Sequence, residues 1–236
     1  MKHSRSSPNP DQEFRNALAK PLKLFALGGS EELGASIAAR LGCKLAAHEE
    51  REFEDGEHKS RPLEPVAGAD VYVLHSLHGG PVQSSNDKLC RLLFFIGALK
   101  DAGAQRVTAV APYLCYSRKD RRTKSFDPVT TRYIASMFEA VGTGTVVTLE
   151  VHDPAAFENA FRCRTVALTA TPIFVEYVKT LAPVRLSVVS PDTGARNVPS
   201  CSEKRLRKSF SVPSEMPLWK STAAAALSPA RLSLAM

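Results

Sequence analysis

The residues best suited to chemistry lie in one run. Val107–Val110 is β-branched and ends at Pro112, which cannot continue a central strand. Tyr113 and Tyr116 follow, and then Arg118, Lys119, Asp120, Arg121 and Arg122 in succession. Guanidinium forks grip phosphate oxygens in pairs or stack on a purine. A buried strand that opens at its C-terminal end into a basic loop is a usual seat for a phosphorylated ligand in an α/β fold. Taken alone, the loop reads equally well as a solvated run of charge. His75, Glu150 with His152, and Asp192 also fall just beyond apolar runs. Histidine and a carboxylate together offer metal donors, although a single histidine at a strand end more often serves the fold.

The elements that must position these residues alternate. The apolar runs Leu22–Leu27, Ala69–Leu77, Val107–Val110, Gly144–Glu150 and Leu186–Val189 read as strands. Helical spacing marks Glu31–Leu41, with Leu33, Ile37 and Ala38 on one face and Gly42 as the stop. The same spacing marks Asn86–Ala102, with Leu89, Leu92, Leu93, Ile96 and Leu99, and then Ile173–Leu181. A helix is also predicted over Pro128–Ala140, with Asp127 as its cap. Strands alternating with helices predict an α/β fold around a mostly parallel sheet. Right-handed crossovers would gather the loops after the strands on one rim.

Composition narrows the function classes. The chain has 236 residues and five cysteines, odd in number and widely spaced. That spacing predicts neither a disulfide framework nor a zinc site and fits a reducing, cytoplasmic setting. No run of about 18 apolar residues occurs, so no membrane-spanning helix is expected. Residues 1–20 lack the apolar stretch of a secretory signal and read as a disordered extension. The net charge of +7 is unevenly spread: residues 195–236 hold seven Lys/Arg against two Asp/Glu, while residues 1–194 hold 24 against 22. A nearly neutral body makes nucleic acid an unlikely partner. If the basic tail did bind one, binding would be salt-dependent and lost on deleting residues 195–236.

The segment APYLCYSRKDRR resembles the Pro-Tyr…Tyr-Ala-Arg-Gln-Asp-Arg signature of the ribose-phosphate pyrophosphokinase (phosphoribosyl pyrophosphate synthetase) family. EFEDGEH at Glu52–His58, LEVH at Leu149–His152 and VVSPDTG at Val188–Gly194 fall in the family's order. The resemblance implies two phosphoribosyltransferase-type, Rossmann-like domains, of which residues 21–163 would be the first and residues 164–194 the beginning of the second. It implies transfer of pyrophosphate from ATP to the 1-hydroxyl of ribose 5-phosphate, giving phosphoribosyl pyrophosphate and AMP, with Mg²⁺ and homo-oligomeric assembly. It assigns Arg118, Lys119 and Asp120 to ATP. It assigns Phe53, Asp55 and Glu57 to ATP as well, commonly across a subunit contact, whereas by themselves these read as a tight turn with solvated acids. His152 and Glu150 would hold the metal, and Asp192 would lie on the ribose-5-phosphate side. Lys119 stands in place of the family's usual glutamine, and Glu150 in place of aspartate. Phe126 and Asp127 stand in place of arginine and a small residue, a change expected to weaken closure of the loop. Ala155–Phe161 replaces the family's Gln-Ile-Gln-Gly-Phe-Phe.

After Gly194 the resemblance stops, and the family's loop Lys and Arg and its 5-phosphate cradle are not in residues 195–236. The chain therefore reads as C-terminally truncated in effect, with a non-family, disordered tail and very low or lost activity. A catalytically silent, nucleotide-binding relative that assembles with an intact synthetase is the alternative. The genetic code suggests a cause. Read from the third base of each codon, Trp219-Lys220 must give Glu, and Lys220–Ala225 permits Lys-His-Arg-Gly-Gly, which looks like the family's loop. A frameshift near Gly194 predicts that sequencing the gene across the codons for Thr193–Arg196 shows a one-base displacement. A coding string whose shifted frame lacks those motifs would overturn it.

Overall fold

The computed structural model describes residues 21–181. The expected N-terminal extension, the strand Leu186–Val189, Asp192 and the tail lie outside the described residues.

Seven strands and five helices are laid down in the order β1 (Leu22–Ala26), α1 (Glu31–Leu41), β2 (His48–Glu52), β3 (His58–Pro62), β4 (Asp70–Leu74), α2 (Ser85–Asp101), β5 (Arg106–Ala111), α3 (Thr130–Ala140), β6 (Thr145–Leu149), α4 (Pro154–Ala160), β7 (Arg164–Leu168) and α5 (Thr171–Thr180). β1, β4, β5, β6 and β7 form one parallel sheet in that order, and β2 and β3 form a separate antiparallel hairpin. The α/β class with a mostly parallel sheet flanked by helices is the one the sequence predicts. The strand Arg164–Leu168, at which the sequence reading begins a second domain, pairs in register with β6. The chain divides into two compact units after Ala170. α5 lies in the second unit, where a Lys179–Glu176 ion pair of 2.8 Å spans one turn.

Local chemistry explains the boundaries. Ser84 and Asp87 form a reciprocal capping box at the start of α2: Asp87 N donates to Ser84 Oγ at 3.2 Å, and Ser84 N donates to Asp87 Oδ2 at 2.8 Å. Gly42, at φ +67°, ends α1 in the left-handed conformation that glycine adopts without strain. The apolar residues expected on α2 are all buried, joined by Phe95 and by Arg91. They pack in one cluster with Phe25, Val71, Val73, Val107, Ala109 and Val146 of the sheet. Each fully buried Leu or Phe contributes roughly 1.5–3 kcal/mol, so this shared cluster dominates the fold's stability.

Three expectations are corrected. The buried residues of α1 are Gly34 and Ala38, while Leu33 stays exposed, because Gly34 is where the helix approaches the Ala26 methyl of β1. Asp127 does not cap α3; its carboxylate is bound to the preceding turn, and the helix starts two residues after Pro128. Ala69–Leu77 is shorter as a strand than expected: β4 ends at Leu74, His75 N still bonds Val110 O of β5, and Leu77 N bonds Tyr113 O of the loop after it. Among the described residues no helix is long and apolar enough to cross a membrane.

Two stability predictions follow from this packing. A Cβ on Gly34 would overlap Ala26, whereas one on Gly97 in α2 meets nothing within 4 Å. Gly34→Val should cost about 1–3 kcal/mol, and Gly97→Ala should gain up to about 1 kcal/mol through helix propensity. Thermal unfolding of both variants checks the pair. His75 is fully buried with neither ring nitrogen partnered. Burial pushes it from 6.5 to about 4, with Glu50 opposing and Lys88 and Arg91 adding to the depression. The unfolded chain therefore takes up the proton first. The contribution is complete above the unfolded value and is lost as pH falls from about 6.5 toward 4, at up to about 1.4 kcal/mol per pH unit. Urea unfolding between those pH values should show this slope, and His75→Leu should flatten it.

Candidate functional site

Because the five strands run parallel, their C-terminal ends share one rim. Ala26, Leu74 and Val110 are in register there, as are Leu149 and Leu168. The loop after β5 crosses this rim and is tied to both neighbours. Leu149 N donates to Pro112 O at 3.1 Å, and Leu77 N donates to Tyr113 O at 3.0 Å. Leu114 and Cys115 are buried beneath it, and burial pushes the Cys115 thiol up to about 11.

At Tyr116 the backbone turns left-handed, with φ 60°. A non-glycine residue there costs on the order of 1 kcal/mol. Its surroundings hold it: the Tyr116 hydroxyl donates to Asn86 Oδ1, and Thr131 Oγ1 donates to Tyr116 O at 3.0 Å and to Lys119 O at 3.1 Å. Arg118 and Arg121 are exposed and carry no hydrogen bond or ion pair among the described residues, which leaves two guanidinium groups open to an anion. Lys119 is different: its ammonium lies 3.0 Å from Asp127 Oδ2.

Asp120 points the other way. Its side chain is only 6% exposed and meets His152 Nδ1 at 3.0 Å. A carboxylate oxygen accepts here, so Nδ1 is the donor of this bond and Nε2 is the ring nitrogen turned away from Asp120. The His152 ring is half open to solvent. This is the arrangement in which a buried carboxylate orients an imidazole toward a ligand or metal. A shallow pocket beside the pair is lined by Val129, Thr131, Arg132 and Asn159.

Glu150 also has a left-handed backbone, at φ 50°. Its Oε1 accepts from Thr169 Oγ1 at 2.7 Å and from Ala170 N at 2.5 Å, so that oxygen holds the chain leaving β7. Asp153 accepts from Ala156 N at 3.0 Å and caps α4, whose first residue is Pro154. The Asp153-Pro154 pair was the available sign of this helix, which the sequence reading left out. Phe157 and Phe161 of the replaced segment stack edge-on at 5.1 Å and pack near Phe138.

Phe53, Asp55 and Glu57 lie at the tip of the β2–β3 hairpin. Gly56 (φ +85°) donates to Phe53 O at 3.0 Å, Glu57 N donates to Asp55 Oδ1 at 3.1 Å, and the Arg51 guanidinium sits 5.1 Å from the Phe53 ring centre. The tight turn expected from Asp55-Gly56 is present. The hairpin is held to the rim from its middle. Glu50 Oε1 accepts from Gly28 N at 2.8 Å and meets His48 Nε2 at 3.0 Å, and Arg91 reaches Glu52 at 3.1 Å. Burial opposes ionisation of Glu50, but the His48 ring and the Gly28 amide hold its carboxyl below the ordinary value. Among the described residues no hydrogen bond or ion pair joins the tip to Arg118–Asp120. The structure thus brings Asp120 and His152 together, leaves the hairpin tip apart, and buries His75 under the rim instead of presenting it.

Among the described residues no three His, Cys, Asp or Glu side chains are grouped to hold a metal ion. Mg²⁺ often takes only one or two carboxylates and completes its shell with phosphate oxygens and water. Asp120 supplies the one carboxylate such a phosphate-completed site needs, with one oxygen bound to His152 Nδ1, while Glu150 Oε1 is engaged elsewhere.

Residues 22–142 match the family model described as the N-terminal domain of ribose phosphate pyrophosphokinase. A ribose-phosphate pyrophosphokinase of Bacillus caldolyticus is 36% identical over 173 residues, which are 73% of this chain and 53% of that protein. Ribose-phosphate pyrophosphokinase 1 of Streptococcus pyogenes is 34% identical over 175 residues, again 73% and 53%. The crystal structure of phosphoribosylpyrophosphate synthetase from Mycobacterium smegmatis superposes with a TM-score of 0.72 at 31% identity, covering 80% of this chain and 61% of that one. The chain spans about half the length of the curated relatives it matches. On the family-model match over residues 22–142 and these relatives, the chain belongs to the ribose-phosphate pyrophosphokinase family.

Proposed function

We propose that the rim built by the β5–α3 loop is the ATP side of a ribose-phosphate diphosphokinase site. The observation that carries the reading is the oriented Asp120–His152 pair on the same loop as Arg118 and Arg121, whose guanidinium groups have no partner among the described residues. In the proposed reaction the 1-hydroxyl oxygen of ribose 5-phosphate attacks the β-phosphorus of ATP. The bond from that phosphorus to the α,β-bridging oxygen breaks, AMP leaves with that oxygen, and the hydroxyl proton is released to solvent. Such a transfer relies on positioning and charge neutralisation. The open guanidinium groups would receive triphosphate oxygens in pairs, and Asp120 would keep the His152 ring turned with Nε2 outward. Mg²⁺, when bound with the nucleotide, would supply charge neutralisation at His152 and Asp120. Phe53, Asp55 and Glu57 would serve the nucleotide of a neighbouring copy in a homo-oligomer, which fits their separation from Arg118–Asp120 here.

Residues 195–236 carry none of the family's loop or 5-phosphate motifs, so we expect nucleotide binding with little turnover. Calorimetry with a non-hydrolysable ATP analogue and Mg²⁺ should show binding. Chromatographic assay of AMP from ATP and ribose 5-phosphate should give a rate at least about 100-fold below that of a full-length relative, the scale of losing transition-state charge contacts. Absence of nucleotide binding would refute the site, and full turnover would refute the low-activity reading. His152→Ala and Asp120→Asn should each weaken Mg²⁺-nucleotide affinity about 10-fold or more, as removal of a ligand or its orienting partner does. The exposed His152 makes an equal loss of thermal stability in its variant the contrary result.

A further inference from the structure

The turn that follows the candidate nucleotide loop is organised by one carboxylate. Asp127 Oδ2 accepts from Thr123 Oγ1 at 2.6 Å, from Thr123 N at 3.1 Å, from Lys124 N at 3.1 Å and from Lys119 Nζ at 3.0 Å. Its backbone carbonyl accepts from Arg122 Nε at 3.2 Å. Five donors from four residues of the basic segment therefore end on one residue.

Two of these partners are positions at which the chain departs from the family's pattern: Lys119 stands where a glutamine is usual, and Asp127 where a small residue is. The departures meet each other in space as an ion pair. Asp127 ties the turn from Lys119 to Asp127 together. The bonds from Thr123 and Lys119 also hold the carboxyl well below the usual carboxylate range, so the acceptor remains ionised.

We propose that Asp127 is a positioning residue of the nucleotide loop: it withdraws the Lys119 ammonium from ligand duty and pins the Thr123–Lys124 turn, so that Arg118 and Arg121 are presented as the open cations. This inference rests on the ATP reading for its ligand, but its structural half does not depend on it. Lys119 then acts through Asp127 and does not itself grip phosphate.

Limited trypsin digestion separates the two halves, because cleavage after Arg118, Lys119, Arg121, Arg122 and Lys124 reports opening of this loop. Peptides would be followed by mass spectrometry on the full chain, with and without ATP and Mg²⁺. Without nucleotide, Asp127→Ala should be cut within 118–124 about 10-fold faster than wild type, since several hydrogen bonds to a charged acceptor are lost together. Asp127→Asn, which still accepts from the two amides, should restore most of the protection. Asp127→Ala should also weaken nucleotide affinity about fivefold or more, and Lys119→Gln in the Asp127→Ala background should add little, as expected for coupled partners. Equal cleavage of wild type and Asp127→Ala would overturn the positioning role. Faster cleavage in the variant with no protection of either protein by nucleotide would keep the loop anchor and reject the ATP reading.

Discussion

Parallel pairing of five strands is the constraint on which everything else in this chain depends. It forces every connection to cross back over the sheet, and it places every strand's C-terminal end on the same rim. Residues far apart in sequence, such as Asp120 and His152, become partners only because β5 and β6 end side by side. The buried cluster of Phe25, Val71, Val73, Val107 and Val146 with α2 keeps that register from slipping.

On this rigid base the working segments are held by polar bonds. The loop after β5 is fixed through Tyr116 at one end and Asp127 at the other, with Thr131 bonded between. Along it, the Arg118 and Arg121 guanidinium groups are without a partner among the described residues. A loop with its acids engaged internally and its guanidinium groups open is electrostatically ready for an anion and needs little ordering when one arrives. Glu150 and Asp153 also carry charge on this rim, but both have an oxygen bound to nearby backbone, which narrows the groups available for chemistry.

Much of the architecture was legible in the sequence, for a simple reason. Buried parallel strands are continuous β-branched runs, and helix α2 carries its apolar residues at strict helical spacing, so both are written in hydrophobicity. The hairpin was not legible as strands, because HEERE and HKSRP show no apolar alternation. They are held by one cross-strand ion pair, Arg61–Glu49, and by tertiary contacts such as the His58 ring stacked on Phe94 at 5.4 Å. β7 was missed because RTVAL is short and lies at the sheet edge. Within the site, residue types and order pointed to Arg118–Asp120 and His152, but nothing in one dimension shows that Asp120 turns to His152 or that Lys119 turns to Asp127. Side-chain direction comes from the left-handed turn at Tyr116, a tyrosine in a conformation that sequence reading assigns to glycine.

The central claim, that this rim is a nucleotide site, is tested most directly by photo-crosslinking with 8-azido-ATP in the presence of Mg²⁺, followed by mapping of the modified peptides. The account predicts adducts within residues 113–124, around His152 or, in an oligomer, at the hairpin tip 53–57, suppressed by excess ATP. Adducts confined to other parts of the chain, or labelling that excess ATP does not suppress, would contradict it.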